Sequence, residues 1–389
     1  MRRGEVTEAV GDYTRELELH PNEGNIYPQL AGAQLAQGKR SDAEATLRHR
    51  LKTVGPDPSV AMQLVQMLIE DGSSKDAVVI AEDANKTDSA NQRLLWLLGR
   101  ARMKDGQKAA GAATLLSALR ETNDPGLLND IAYELADADH VTQEVEDASR
   151  KDVEQLTAES ANWTLTTADQ DIREMRNRSN LLVASWDTLG WTIYKSASGR
   201  EPGRLAEAKR YIAAAWQNSL TPEVGLHLGD LEEAQHHFAE ALVAYQLARA
   251  AAPDFDLRGL RRPPTAIQRD LTARIERLRK IQPQAIIKEP NEKFKSGLKL
   301  DAGPFDGQSI VAPYRFLVTT SGVDAALPIE TSDEDHAKAD HPRDIARLRR
   351  AIPVSWIPAG SSARLLRSAV MNCHQKICEV IVTPLSATR

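Results

Sequence analysis

The chain has 389 residues, of which 41% are hydrophobic, 5% aromatic and 27% charged. Its net charge of −6 is small and mixed in sign, so there is no nucleic-acid footprint, and no run of about 18 apolar residues exists to span a membrane. The length exceeds one ordinary compact domain unless the chain repeats and grows in one dimension.

From the N-terminus, small or apolar residues recur about every 34 positions, at Ala9, Ala43, Ala77, Gly111 and Val145. Four residues beyond each stand Tyr13, Leu47, Ala81, Leu115 and Ser149, one helical turn further on the same face. Turn residues punctuate the period at His20-Pro21-Asn22, Gly55-Pro56-Asp57-Pro58, Asp71-Gly72, Asp105-Gly106 and Asn123-Asp124-Pro125-Gly126. The first unit is half present: Glu5–His20 predicts a second helix without its first, leaving Val6, Val10, Tyr13 and Leu17 with an unpartnered apolar side. This points to a start further upstream, a truncated gene or a partner covering that end. As it stands the N-terminus lacks a signal peptide, which assigns the chain to the cytoplasm, whereas an upstream start would make it an exported protein. Localisation stays open between the two.

A first helix is predicted at Leu127–Leu135 and a long second helix from Val141 to Glu159. Residues 160–182 then interrupt the period and read as an insertion forming a surface loop with a short helix. A shorter insertion, Ser196–Gly203, includes the turn Gly199-Arg200-Glu201-Pro202-Gly203.

Between the two insertions begins the strongest stretch. Trp186, Leu189 and Gly190 form W-x2-L-G, Leu228-Gly229 repeats the L-G pair, and Ala241, Tyr245, Ala248 and Pro253 complete A-x3-Y-x2-A-x4-P. This pattern closely resembles the tetratricopeptide repeat (TPR) family. The resemblance implies antiparallel helix pairs whose small residues let backbones approach while Trp186, Leu189, Leu228 and Tyr245 fill the space between. The expected fold is mostly α, a TPR-like right-handed α-solenoid of about six and a half units over residues 1–253, followed by a small α+β domain. A linker with the basic run Arg258–Arg262 and one amphipathic capping helix, Thr265–Ile281, occupy residues 254–283.

From Pro283 the spacing turns strand-like, and residues 284–389 form the small domain. Strands are predicted at Tyr314–Thr320, Val323–Ile329, Ala363–Asn372 and Glu379–Pro384, with a helix at Pro342–Arg350. This β-β-α-β-β order is loosely similar to the C-terminal domain of TonB-type energy transducers in bacterial envelopes. Cys373 and Cys378 are the only cysteines and flank a predicted four-residue loop between the last strands. Opposed strand positions lie about 4.5–5.5 Å apart at Cα, within reach of a disulfide, which would imply an oxidising compartment. Half a zinc site with His374, or two free thiols, remain the alternatives. Asp333-Glu334-Asp335-His336 with Asp340-His341 reads as a solvated acidic loop without EF-hand spacing.

No nucleophile elbow, phosphate loop or dinucleotide fingerprint occurs, and no residue set is assigned to catalysis, cofactor or metal. His236-His237 has adjacent rather than helically spaced histidines and sits in a turn. If the family's groove positions carry over, they map to Arg93, Trp96, Arg100 and Met103, then Leu127, Asp130, Glu134 and Asp137. Next come Ala184, Asp187, Trp191 and Tyr194, and finally Glu223, Leu226, Asp230 and Glu233. The family's carboxylate clamp of Lys and Asn is absent at these places, which argues against a chaperone-tail receptor. The expected function is a non-catalytic scaffold binding protein or peptide partners with basic and apolar side chains. The alternative is an accessory region of a larger enzyme or transport component.

Overall fold

The computed structural model describes residues 3–196, 201–252, 263–296, 299–305, 309–329 and 341–385. The Gly199-Arg200 part of the second insertion, Pro253, the basic run Arg258–Arg262 and the acidic loop Asp333–Asp340 lie outside the described residues. The chain is mostly helical, with a small antiparallel sheet near its C-terminus, and divides into two compact units, Met1–Leu127 and Leu128–Arg389.

Unit 1 holds α1 (Arg3–Leu19), α2 (Ile26–Ala36), α3 (Arg40–Thr53), α4 (Pro58–Glu70), α5 (Ser74–Thr87), α6 (Gln92–Lys104) and α7 (Lys108–Glu121). Helix starts follow their local chemistry. The Asp57 carboxylate accepts from the amides of Ser59 and Val60 at the head of α4, where Pro58 sits at the first helical position, and Asn91 accepts from Leu94. Helix ends inside each pair share one device. Gly38, Gly72 and Gly106 take left-handed φ of 77°, 76° and 82°, and the next amide bonds back across the turn, as Ser73 N does to Leu68 O at 2.8 Å. The 34-residue period thus resides in packing. Ala43, Ala77, Leu47, Ala81 and Leu115 are fully buried, and Gly99 and Gly111 bring α6 against α7 so closely that a Cβ on Gly111 would lie 2.9 Å from Gly99 O. Ala9 and Tyr13 on α1 are half-buried.

Unit 2 opens with α8 (Pro125–Asp137) and α9 (Gln143–Ala161). α10 (Asp169–Lys195), α11 (Pro202–Ser219), α12 (Pro222–Ala234), α13 (Phe238–Ala251) and α14 (Ala266–Leu278) follow. The W-x2-L-G and L-G glycines sit where the pattern demands. A Cβ at Gly190 would meet Ile212 Cγ1 at 2.5 Å, and one at Gly229 would meet Tyr245 Cε1 at 2.2 Å. α14 starts with a Thr265–Gln268 capping box and buries Leu271 and Leu278 against Ala241, Leu242, Tyr245 and Ala248.

The insertion differs from its expectation. Only residues 162–168 are non-helical; Asp169 starts α10, which runs unbroken for 27 residues through the Trp186 motif. The first half of α10 is no surface appendage, because Ile172 and Met175 pack on Leu317 and Leu366 of the sheet. The Leu366 amide donates to Ser179 Oγ at 2.9 Å, and Arg364 donates to the Trp163 carbonyl at 2.7 Å.

After the short α15 (Pro290–Ser296) come β1 (Lys299–Pro304), β2 (Ile310–Thr319), β3 (Gly322–Pro328), α16 (His341–Ala351), β4 (Leu365–His374) and β5 (Ile377–Val382). All neighbours are antiparallel in the order β1-β5-β4-β2-β3. The expected β-β-α-β-β series is present, preceded by β1, which the sequence reading missed. Lys299-Leu-Asp-Ala-Gly-Pro lacks strand formers, and at a sheet edge a bulge between Asp301 and Gly303 is tolerated. One sheet face packs on α16 and on the 3₁₀ turn Val354–Trp356, and its Tyr314, Phe316 and Met371 belong to the same core cluster as Trp186, Leu189 and Ile212.

Arg367 ties these layers. It is 2% exposed, donates to the side chain of Asn218 at the end of α11 and to the Thr383 carbonyl at 3.0 Å, and lies 4.6 Å from the Trp356 ring centroid. Burial pulls its guanidinium down to about 9, and the carbonyl-rich end of α11 offsets part of that cost. Cys373 and Cys378 face each other in register and are joined by a disulfide, both side chains fully buried. The expected four-residue loop is a tighter two-residue turn, Gln375-Lys376, with φ of 48° and 71°.

Candidate partner-binding face

The groove positions are best judged unit by unit. In unit 1, Arg93 is exposed on α6, and Trp96 is half-buried against the core of that unit. Arg100 lies 5.7 Å from the Trp96 ring centroid and donates to Gln66 Oε1 of α4 at 3.2 Å. Two successive first helices are thereby joined through the expected side chains. Met103 turns inward instead, against Gly111.

In unit 2 the first helices of three successive pairs, α8, α10 and α12, converge. Asp187 of α10 is fully buried, and its carboxylate accepts from His227 Nδ1 of α12 at 2.9 Å. The His227 ring stacks on Trp191 at 4.0 Å and lies 6.1 Å from Tyr133 of α8, while Tyr194 stacks on the far side of the row, 5.1 Å from Trp191. Asp187 and Trp191, expected as open groove contacts, are thus 0% and 5% exposed. They build the wall of the face, because a buried carboxylate must be paired and the imidazole supplies that pair. Tyr133 and Tyr194 are half-buried and form its accessible part. His227 and Tyr133 escaped the sequence reading, although helical spacing contained the signal. His227 lies four positions after Glu223 and three before Asp230, and Tyr133 lies three after Asp130.

The charged rim is uneven. Along α8, Asp130 and Glu134 are half-buried and Asp137 is exposed. Lys195 sits 4.9 Å from the Trp191 centroid and pairs with the exposed Asp139, so the face already accommodates one cation over its aromatic ring. At the far end Asp230 and Glu233 do not form an open acidic groove. Arg274 of α14 pairs with Asp230, Arg277 binds Glu233 through two contacts of 2.5 and 2.8 Å, and the Tyr245 hydroxyl lies 2.5 Å from Asp230. Burial pushes the Asp230 carboxyl and the Tyr245 hydroxyl above their usual ranges, and the hydrogen bond from Arg277 holds Glu233 below its own. These two acids are committed to docking the capping helix.

Among the described residues no group of three His, Cys, Asp or Glu side chains is placed to hold a metal, and no helix is long and apolar enough to cross a membrane. His236 occupies the left-handed turn position between α12 and α13, with φ 61°.

No family model matches the chain, and no curated protein matches it. Several solved structures are similar at low scores. A tetratricopeptide repeat protein from Parabacteroides merdae is 10% identical over 66% of this chain and 98% of that one, with a TM-score of 0.37. Yeast Tom70 is 12% identical over 74% of this chain and 61% of its own, with a TM-score of 0.35, so this chain spans less than two thirds of it. The TPR2AB domain of yeast Sti1, in complex with pHSP90, is 12% identical over 66% of this chain and 98% of that one, with a TM-score of 0.24.

Proposed function

We propose that the chain is a non-catalytic, TPR-type scaffold that holds protein or peptide partners on the first-helix face of unit 2. The observation that carries the reading is the row Tyr133–His227–Trp191–Tyr194, assembled from three consecutive helix pairs and bordered by Glu134, Asp137 and Asp139. Rigid aromatic rings beside carboxylates suit a segment with apolar and basic side chains, and the internal Lys195 over Trp191 exemplifies the contact. The Arg93–Trp96–Arg100 surface of unit 1 is a second, separate contact region in the same reading. The buried Cys373–Cys378 disulfide supports the reading that the protein works in an oxidising compartment, of which a bacterial envelope is one.

The test is a pull-down from native extract with the wild-type chain beside an Asp137→Lys, Tyr194→Ala double variant, both checked by circular dichroism. Asp187 and Trp191 stay intact in this variant, because their removal would open a buried pair and a core ring. A partner captured by the wild type and lost from the folded variant is the expected result. Equal capture by both would overturn the assignment of this face.

A further inference from the structure

Strand register separates the side chains of the sheet onto two faces. One carries the core residues Ala312, Tyr314, Phe316, Met371 and Val380. The other carries four cross-strand rows. Leu317 pairs with Leu366, Arg315 with Ser368 and Leu327, Pro313 with Val370 and Ile381, and Val311 with Asn372 and Glu379. α10 covers the first row, through Ile172 and Met175, and makes Leu317 and Leu366 fully or nearly buried. Beyond it one row, Pro313 with Val370 and Ile381, is wholly apolar yet open, and it is flanked by two rows of mixed polarity. Pro313, Val370, Ile381 and Leu327 are only half-buried, and Val311 and Ile377 are 50% and 55% exposed. A solvated sheet face ordinarily carries polar residues, so an open, wholly apolar row one row beyond the covered one suits a further layer.

The geometry says what that layer is. Pro313 lies four residues from Leu317, about 13 Å along the strand, and a helix with its side chains is about 10–12 Å across. The open rows therefore offer the berth of one more helix next to α10, continuing the helix-on-sheet interface that α10 begins. Beside Ile381 the face dips into a cavity of about 520 Å3 bordered by Lys299, Asp301, Ile377 and Glu379, room for an inserted side chain. The row between the covered row and the apolar one specifies charge: Arg315 is half-buried, its Nε is enclosed, and among the described residues that nitrogen has no hydrogen-bond partner. We propose that this face docks an amphipathic helix of a partner protein, apolar toward Pro313, Val370 and Ile381 and carrying a carboxylate for Arg315. It is separate from the first-helix face and does not depend on it.

The probe is a fluorescein-labelled synthetic helix of about 18 residues, with leucines at helical spacing and one glutamate on the stripe's edge, titrated against the full chain by anisotropy. Val370→Asp and Ile381→Asp should each weaken binding about tenfold or more, and Arg315→Glu should do the same. A second peptide with lysine in place of the glutamate should then favour Arg315→Glu over wild type, which rules out non-specific stickiness and does not rely on a core substitution. Absence of binding to the wild type, equal affinity for all variants, or failure of the charge exchange overturns the proposal. So does sedimentation equilibrium showing a wild-type dimer that Val370→Asp dissolves, because a second copy would then be the occupant.

Discussion

At Gly229 the ring of Tyr245 occupies the space where any other residue would put its Cβ, at 2.2 Å. Gly229→Ala should therefore overpack the α12–α13 crossing and cost about 1–3 kcal/mol, whereas Gly32→Ala, on an exposed helix face with nothing within 4 Å, should gain up to about 1 kcal/mol from helix propensity. Urea midpoints of the two variants measure both signs; an unchanged Gly229→Ala would contradict the packing account. A second residue-scale prediction concerns acid. The hydrogen bond from Arg150 to Glu207, at 2.8 Å between α9 and α11, holds the Glu207 carboxyl below its ordinary value of 4.5. A depressed carboxylate contributes stability that is fully present above that ordinary value and is lost as pH falls through the lower folded-state value. Glu207→Gln should accordingly lower the urea midpoint at pH 7 and narrow its gap to wild type below about pH 4. A gap that widens in acid would reverse the sign. The small residues of the TPR-like pattern were legible because close backbone approach admits few alternatives. The Asp187–His227 pair was not, because it joins residues of different repeats and no local spacing encodes it.

At the scale of elements, helix existence was legible from the period and from turn chemistry, and strands β2 to β5 from alternation and turn residues, whereas their order in the sheet was not. Two boundaries were not. Residues 169–182 read as a polar insertion because charged and polar residues of mixed type dominate their composition, yet three positions on one stripe, Ile172, Met175 and Ser179, supply the contacts that seat the sheet. β1 escaped because an edge strand with a bulge needs few strand formers. The α10 contact is testable. Ser179→Ala leaves the buried Leu366 amide without its acceptor and should cost about 1–3 kcal/mol, and Met175→Asp should cost more. Amide exchange should rise in β2 and β4 in both variants while α6 and α7 of unit 1 stay unchanged. Exchange rising only in α10 would show that the helix does not support the sheet. For the hairpin, thiol titration of the natively purified chain should find no free thiol before reduction, and Cys373→Ser with Cys378→Ser should lower stability by about 2 kcal/mol. Two titratable thiols under those conditions would remove the argument for an oxidising compartment.

For the molecule as a whole, the proposed scaffold role makes function a property of the faces of the helix-pair frame. Charges that looked available in the sequence are partly consumed inside it: Asp230 and Glu233 hold the capping helix through Arg274 and Arg277, and Asp187 holds His227. What is left for a partner in unit 2 is narrower than the expected groove, namely Tyr133 and Tyr194 with the α8 carboxylates and the Lys195–Asp139 pair. The repeat pointed to first-helix positions, but which of their side chains stand together emerges only once three pairs are brought together. The most direct measurement is selection of a random peptide library on the wild-type chain, followed by titration of the enriched peptides against the Asp137→Lys, Tyr194→Ala variant. The account predicts peptides rich in basic and apolar residues whose affinity falls about tenfold or more in the folded variant. Enriched peptides that bind the variant as tightly as the wild type would contradict it.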